Sequence, residues 1–410
     1  RQDAYGGSFG KRCRFAVEVV QAIKRACGDD FPVSLRYSVV SKTKGFRQGA
    51  LPGEAFEEVG RDMEESERAA KYLQDAGYDM LNCDNGTYDA WYWAHPPIYM
   101  PQNCNLKYVE HIKNFVDIPV VAAGRMDPYT GAESIAQGKL DGVGFARQFL
   151  ADPEWVTKLK EGREEEIRPC ILCHNACFNM SSYKGAPNMQ DLHDSLNLSR
   201  CAVNAEMMQW DKHYIEKTSN PKTVHIIGGG VGGMEAARVL KLRGHEPVIY
   251  EKSDILGGVV IPGGAESYKK PMLNLLDWYR HQLAKLDIKV HYNTEIKPGQ
   301  DFGDDPVISL KNVPGFDKTV EATDFLNGAP VGDKVAVIGG SLTGCEIAYE
   351  LALHGKKPFI IEMQDDLVKQ KGVCLANSSY LREWFQWQEV PVFLESTLAK
   401  VEDGAVVYKD

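Results

Sequence analysis

Four cysteines in the middle of the chain have the spacing of a metal site. Cys170, Cys173 and Cys177 fall within eight residues, and Cys201 follows further along. Four thiolates can hold one metal centre in a closed sulfur cage, either an iron–sulfur cluster or a structural zinc. His174 lies inside the run and is either a further ligand or a bystander. Unrelated thiols are the alternative to a metal site.

A nucleotide-binding turn is predicted downstream, at Gly228-x-Gly230-x-x-Gly233. This motif follows an apolar strand, opens a helix and precedes Glu251 by about 20 residues, as dinucleotide sites require. The glycines permit a tight turn and close approach of a pyrophosphate, which the helix N-terminus faces. Glu251, with Lys252 beside it, would bind the ribose end of the nucleotide. A glycine-rich turn without a nucleotide is the alternative.

Two further features indicate which nucleotide each turn binds. A glycine pair ending at Gly258 follows the first turn and is typical of FAD sites. A second motif, Gly339-x-Ser341-x-x-Gly344, has the same context, with Glu362 at the acid position. An acid there would repel a 2′-phosphate, which favours NADH over NADPH. Unless the second turn is a degenerate structural copy, the two units form a module that passes hydride from NADH to FAD.

Upstream of the cysteines, residues 11–150 alternate short strand-like and helix-like segments. Four β/α units in about 140 residues indicate a parallel sheet. The strands end in Gly or Arg, as in a (β/α)8 TIM barrel, where chemistry takes place at the strand C-termini. Four units make the C-terminal half of such a barrel, so we expect the first half to precede Arg1 in a longer chain. A different α/β fold is the alternative. We predict helices at 15–26, 63–76, 106–116 and 132–137, and strands at 32–38, 79–83, 118–124 and 142–146.

Residues at the ends of these strands could bind a flavin. Arg36 lies at a strand end, where a fixed cation would stabilise a reduced, anionic flavin, unless it is only an ion-paired barrel arginine. Gly124-Arg125 and Ala146-Arg147 end consecutive strands. Barrels bind phosphate groups at such places through backbone N–H groups and arginine.

An aromatic-rich loop over residues 89–97 follows the strand end at 82–84 and could line a substrate pocket. Tyr88 and His95 are candidate proton donors in this stretch. A histidine before prolines is commonly structural, which is the alternative for His95.

The composition is that of an ordinary globular protein. The chain has 410 residues, 43% of them apolar and 25% charged, and should form two to four domains. Its net charge of −10 argues against nucleic acid as a partner, and we find no apolar run long enough to span a membrane. The CxxC spacing indicates a metal and a reducing, cytoplasmic compartment rather than disulfides. We interpret the other six cysteines as small buried apolar residues: Cys13, Cys27, Cys83, Cys104, Cys345 and Cys374.

Taken together, these residues resemble the old-yellow-enzyme-type multidomain iron–sulfur flavoproteins. That group includes 2-enoate reductase, 2,4-dienoyl-CoA reductase, bile-acid dehydrogenation flavoproteins and trimethylamine dehydrogenase. The stretches at 89–97, 144–153 and 168–173 are most similar to clostridial 2-enoate reductases. The resemblance covers nearly all of residues 1–400.

The resemblance implies four segments with three bound cofactors. They are the second half of an FMN-binding TIM barrel, a connector with a [4Fe–4S] cluster, an FAD-binding domain and an NAD(H)-binding domain, over 1–155, 156–218, 219–330 and 331–410. By similarity the four cysteines hold the cluster, although Cys201 lies further from Cys177 than is usual in the family. Arg36 would face the FMN ring, while Arg125 and Arg147, with the backbone near Gly124 and Ala146, would hold its phosphate.

The implied activity is NADH-dependent reduction of the activated C=C bond of an α,β-unsaturated acid or thioester. Electrons would pass from NADH to FAD, to the cluster, to FMN and to the substrate, with the main proton donor upstream of residue 1. Amine or steroid and bile-acid dehydrogenation is the alternative within enzymes, and a zinc-stapled nucleotide-binding protein without turnover is the alternative of another class. We also expect a homo-oligomer, and an oxygen-labile cluster would favour an anaerobic host.

Overall fold

The computed structural model describes residues 3–178, 200–209, 213–297, 302, 307–309, 320, 322–369, 373–402 and 405–409. The chain divides into two compact units. The first comprises Arg1–Ala146 and Leu375–Gln388, and the second comprises Arg147–Cys374 and Glu389–Asp410. None of the described helices is both long and apolar enough to cross a membrane.

The first unit is built on a four-stranded, fully parallel sheet. Its strands follow each other in sequence order: Ser34–Ser38, Met80–Asp84, Val120–Ala123 and Gly142–Gly144. The helices of this unit are Phe9–Cys27, Met63–Asp75, Trp91–Ala94, Leu106–Lys113, Pro128–Ala136 and Leu375–Trp387. A small antiparallel ribbon is formed by Thr43–Gly45 and Gln48–Gly49.

Helix caps and apolar faces in the sequence explain these elements. The Asp62 carboxylate accepts a hydrogen bond from the Glu65 backbone N–H and so caps the helix Met63–Asp75. The same helix buries Ala69, Ala70 and Leu73 against the sheet core, where Leu81 is fully buried. Burial of this apolar face supplies most of the stability of such a helix.

The predicted β/α order is confirmed, with differences at the element ends. The first helix begins at Phe9 rather than residue 15, and the helix predicted at 132–137 begins at Pro128. There Asp127 caps the helix and Pro128 occupies the first turn, where proline needs no hydrogen-bond partner for its nitrogen.

The second unit contains two parallel sheets and an antiparallel ribbon. The first sheet has the strand order Val307–Ser309, Thr223–Ile227, Glu246–Tyr250 and Lys289–His291. The second sheet has the order Lys334–Ile338, Lys357–Ile361 and Val392–Phe393. The ribbon pairs Thr397–Glu402 with Ala405–Lys409.

Each of these sheets carries a helix that follows its glycine turn. These helices are Val231–Leu242 and Leu342–Leu353. Among the described residues of the unit, the other helices are Arg147–Ala151, Trp155–Lys160, Val260–Gly263, Lys270–Lys285 and Ala322–Leu326. Short 3₁₀ turns lie at Glu164–Glu166 and Ser267–Lys269. The strand–turn–helix–strand repeat confirms the predicted tandem Rossmann-like architecture.

The six cysteines outside the connector do not all lie in the interior. Three of them are buried as predicted: Cys83, Cys345 and Cys374. Cys13 and Cys104 are half-buried, and Cys27 is exposed, so the prediction is wrong for Cys27. That residue is the last of the helix Phe9–Cys27, and a helix end that faces solvent buries little.

Candidate functional site

Both glycine turns have the close backbone packing that the sequence predicted. A Cβ atom added at Gly233 would lie 2.0 Å from the carbonyl oxygen of Gly228. A Cβ atom at Gly344 would lie 1.9 Å from the carbonyl oxygen of Gly339. Each helix therefore starts directly against the strand before it, with its N-terminus at the turn where a phosphate group would bind.

The two acids after these turns occupy equivalent positions. Glu251 accepts hydrogen bonds from the backbone N–H groups of Gly229, at 2.7 Å, and Ser253, at 2.8 Å. Glu362 accepts from the Gly340 backbone N–H at 2.5 Å. Burial raises the pKa of Glu251, but the N–H donors outweigh it and the net pKa is lowered. The carboxylate is therefore held ionised at the end of its strand, as an acceptor for ribose hydroxyls must be.

The second glycine pair contacts the first turn. The Gly257 backbone N–H donates to the Gly229 carbonyl at 2.9 Å, and a Cβ atom at Gly258 would lie 3.0 Å from the Gly230 Cα. This pair thus forms a wall of the first turn, while Lys252 is exposed beside it. In the second motif Ser341 takes the N-cap position of the helix.

The four thiols of the connector line one cavity, at Cys170, Cys173, Cys177 and Cys201. The long spacing before Cys201 does not keep it from the other three. Two polar side chains, Arg147 and His174, share the cavity wall, and the remaining lining is apolar: Leu150, Ile171, Ala176, Ala202 and Val203. Cys170 and Cys201 also contact the apolar core under the first glycine turn.

Burial dominates the acid–base behaviour of three of these thiols, Cys173, Cys177 and Cys201. It raises the pKa of Cys177 to about 11, and it also raises the pKa of Cys173 and Cys201. The buried sulfurs would therefore stay protonated without a positive centre, and a metal ion would supply that charge.

In the first unit, Arg36 pairs with acidic and polar neighbours on the adjacent strand. Its guanidinium donates to the Asn82 side-chain oxygen at 2.5 Å and forms an ion pair with Asp84. Burial raises the pKa of Asp84 to about 6, and Arg36 opposes that shift. The arginine side chain is 50% exposed, so the ion pair does not bury it. A role for Arg36 at a flavin ring stays a prediction.

The residues expected at the FMN phosphate belong to both units. In the first unit Arg125 donates to the backbone carbonyls of Ile98, at 2.6 Å, and Met100. A Cβ atom at Gly124 would lie 2.3 Å from the Asn105 amide nitrogen, so glycine is required at that strand end. Ala146 ends the first unit and Arg147 opens the second. The phosphate site predicted at Gly124, Arg125, Ala146 and Arg147 stays a prediction.

The two candidate proton donors flank one tryptophan. The Tyr88 ring lies against Trp91 with centroids 4.5 Å apart, and the His95 ring lies 4.8 Å from Trp91. Tyr88 is 83% exposed, and His95 ends the helix Trp91–Ala94. The structure thus brings both residues together at the aromatic loop, and their catalytic roles stay predictions.

A hydrogen bond between this loop and the helix Leu375–Trp387 was not expected from the sequence. The Tyr92 hydroxyl donates to the Glu383 carboxyl at 2.9 Å, although 291 positions separate the two residues. Burial raises the pKa of Glu383 to about 7. No local pattern could have found a contact over that separation.

Comparison with known proteins gives three family matches along the chain. Residues 1–166 match the NADH:flavin oxidoreductase / NADH oxidase family. Residues 226–274 match the NAD(P)-binding Rossmann-like domain, and residues 298–409 match the pyridine nucleotide-disulphide oxidoreductases.

The chain is also similar to longer curated proteins. It is 41% identical to cinnamate reductase of Clostridium sporogenes over 99% of its length, which is 61% of that protein. It is 34% identical to NADH oxidase of Thermoanaerobacter brockii over 90% of its length, or 55% of that protein. The chain therefore spans between half and about three-fifths of the length of these two relatives.

Among solved structures, a complex of 2-naphthoyl-CoA reductase with 2-naphthoyl-CoA matches the whole chain. Its TM-score is 0.81 at 25% identity, with 60% of that chain covered. Histamine dehydrogenase from Rhizobium sp. 4-9 shares the fold, with a TM-score of 0.77 at 23% identity. The match covers 100% of this chain and 60% of the dehydrogenase chain. With its flavin oxidoreductase barrel segment, cysteine-rich connector and tandem nucleotide-binding folds, the chain belongs to the old-yellow-enzyme-type multidomain flavoprotein oxidoreductases.

Proposed function

We propose that the protein containing this chain is an NADH-dependent reductase of activated C=C bonds in 2-enoates or enoyl thioesters. The observation that carries the proposal is the cavity lined by four thiols, in the same unit as two glycine turns of the phosphate-binding type. The names of two relatives, cinnamate reductase and NADH oxidase, support a reductase that uses NADH.

Four thiols that line one cavity could hold either a zinc ion or an iron–sulfur cluster. The two glycine turns in the same unit favour the cluster, because single electrons would have to pass between the flavin sites that we propose.

When bound, FAD would accept hydride from NADH, the cluster would carry single electrons, and FMN would give hydride to the β-carbon of the substrate. The residues of this chain bind and orient those groups. The turns at Gly228–Gly233 and Gly339–Gly344 would present helix N-termini to the two pyrophosphates, and Glu251 and Glu362 would hold the riboses. Arg36 and Arg125 supply cations at the strand ends of the barrel segment.

The aromatic loop would shape the substrate pocket. The adjoining Tyr88 and Trp91 rings offer an apolar surface suited to an aryl or alkenyl group. His95, which also contacts Trp91, would orient the substrate or hold a proton for the α-carbon.

The test is an anaerobic titration of the full-length protein with NADH, followed by cinnamate, crotonate or crotonyl-CoA. We expect flavin bleaching by NADH and reoxidation by at least one enoate. A Gly344→Ala variant should lose bleaching by NADH but still reduce the enoate when dithionite supplies the electrons. If no enoate reoxidises the flavin, or if an amine bleaches it instead, the proposal is wrong.

A further inference from the structure

Two polar side chains stand out on the otherwise apolar wall of the cysteine cavity. The Arg147 guanidinium donates from Nη1 to His174 Nε2 at 2.7 Å. Both residues line the cavity with the four thiols. His174 is only 1% exposed, so the bond is shielded from water.

The direction of this hydrogen bond follows from the chemistry of the two groups. An arginine guanidinium has five N–H donors and no acceptor. The Nε2 atom of His174 must therefore accept, which leaves the imidazole neutral with its proton on Nδ1. Nε2 is occupied by this bond and Nδ1 by its proton. Neither nitrogen is therefore available to iron, and the imidazole serves as a support for the arginine.

The backbone fixes both partners in place. His174 has a left-handed conformation with φ of 54°, and Leu172 has one with φ of 56°. Gln148, the neighbour of Arg147, accepts from the Cys170 backbone N–H and donates to the Arg168 carbonyl, each at 2.9 Å. These two bonds tie the short helix that carries Arg147 to the start of the cysteine loop.

We propose that His174 is a positioning residue that holds the Arg147 charge against the cysteine cavity, and that this charge raises the reduction potential of the cluster. The inference rests on the proposed function, because it requires an iron–sulfur cluster in the cavity. Accepting an electron makes the cluster more negative, and a fixed cation in an apolar surrounding stabilises that state.

The test is a potentiometric titration of the full-length, anaerobically purified protein, monitored by the EPR signal of the reduced cluster. His174→Leu removes the acceptor, and Arg147→Met removes the charge. In both variants we expect the ratio of reduced to oxidised cluster at a fixed potential to fall about tenfold. This corresponds to a midpoint potential about 59 mV lower for a one-electron couple. His174→Gln keeps an oxygen that can accept from Arg147 and should retain the wild-type midpoint.

The control is Lys222→Met, which removes an exposed positive charge from the same unit and should leave the midpoint unchanged. FMN content is measured in parallel, because Arg147 is also expected at the FMN phosphate. If His174→Leu carries a full complement of iron with the wild-type midpoint, the inference is wrong, even where Arg147→Met loses FMN. If the wild-type protein contains no iron, the proposed function itself fails.

Discussion

Replacing Glu383 by glutamine should make the first unit more stable at alkaline pH and leave its stability unchanged in acid. Glu383 lies on the helix Leu375–Trp387, and its carboxyl contacts the Tyr92 hydroxyl and the Gly49 backbone N–H. Glutamine has the shape of the protonated acid. Its amide oxygen can accept from Gly49, and its nitrogen can donate to the Tyr92 hydroxyl, which can act as acceptor.

The magnitude follows from the pKa of the carboxyl group. Burial raises the pKa of Glu383 from 4.5 to about 7. Because the folded state keeps the proton longer than the unfolded state, stability is full below pH 4.5 and is lost as the pH rises through 7. The full shift corresponds to about 3.4 kcal/mol at 1.36 kcal/mol per unit, and partial exposure of the side chain reduces this to about 2 kcal/mol.

The assay is urea unfolding of the full-length protein and the Glu383→Gln variant at pH 5 and pH 8.5. At pH 5 the two should have nearly equal free energies of unfolding, whereas at pH 8.5 the variant should gain about 2 kcal/mol. Glu57→Gln, at an exposed position in the same unit, serves as the control and should change neither value. Parallel pH profiles for wild type and Glu383→Gln would show that the Glu383 carboxyl does not link stability to pH.

Three further perturbations test other contacts. Cys201→Ser should lose iron in metal analysis, whereas Cys27→Ser, at an exposed position, should keep it. Retention of iron in Cys201→Ser would show that Cys201 is not a ligand. Gly344→Ala should abolish NADH binding in calorimetry but keep FAD, because the added Cβ would lie 1.9 Å from the Gly339 carbonyl oxygen; unchanged NADH affinity would contradict this. Lys269→Met should destabilise the second unit by about 3–5 kcal/mol in urea unfolding. The Lys269 ammonium lies 2.7 Å from the Glu346 carboxylate and 3.4 Å from that of Glu266, and both glutamates are buried. A loss of stability below about 1 kcal/mol would show that the two carboxyls are otherwise neutralised.

Local patterns were sufficient to predict the four strands of the first unit's parallel sheet and the strands before the two glycine turns. The strand Thr223–Ile227 lies where the apolar run before the glycine turn predicted it, since a buried parallel strand reads as a short continuous apolar segment. The helix Val231–Leu242 begins inside that turn, earlier than apolar spacing alone indicates. Glycine has a low helix propensity, but the turn fixes the helix start regardless.

Contacts between distant residues were not predictable in the same way. Cys201 lines the cavity with the other cysteines because the chain returns there, which spacing along the sequence does not reveal. His174 was recognised only as a ligand or a bystander, and its bond to Arg147 depends on how the helix Arg147–Ala151 meets the cysteine loop. The Tyr92–Glu383 pair joins two stretches of sequence that carry no shared pattern.

We propose that sulfur-bound iron connects two flavin sites in the full-length protein. Metal and flavin analysis after purification without oxygen tests this proposal. We expect a brown protein with iron for one four-iron cluster per chain, together with both FMN and FAD. A colourless protein that contains zinc and no flavin would contradict it.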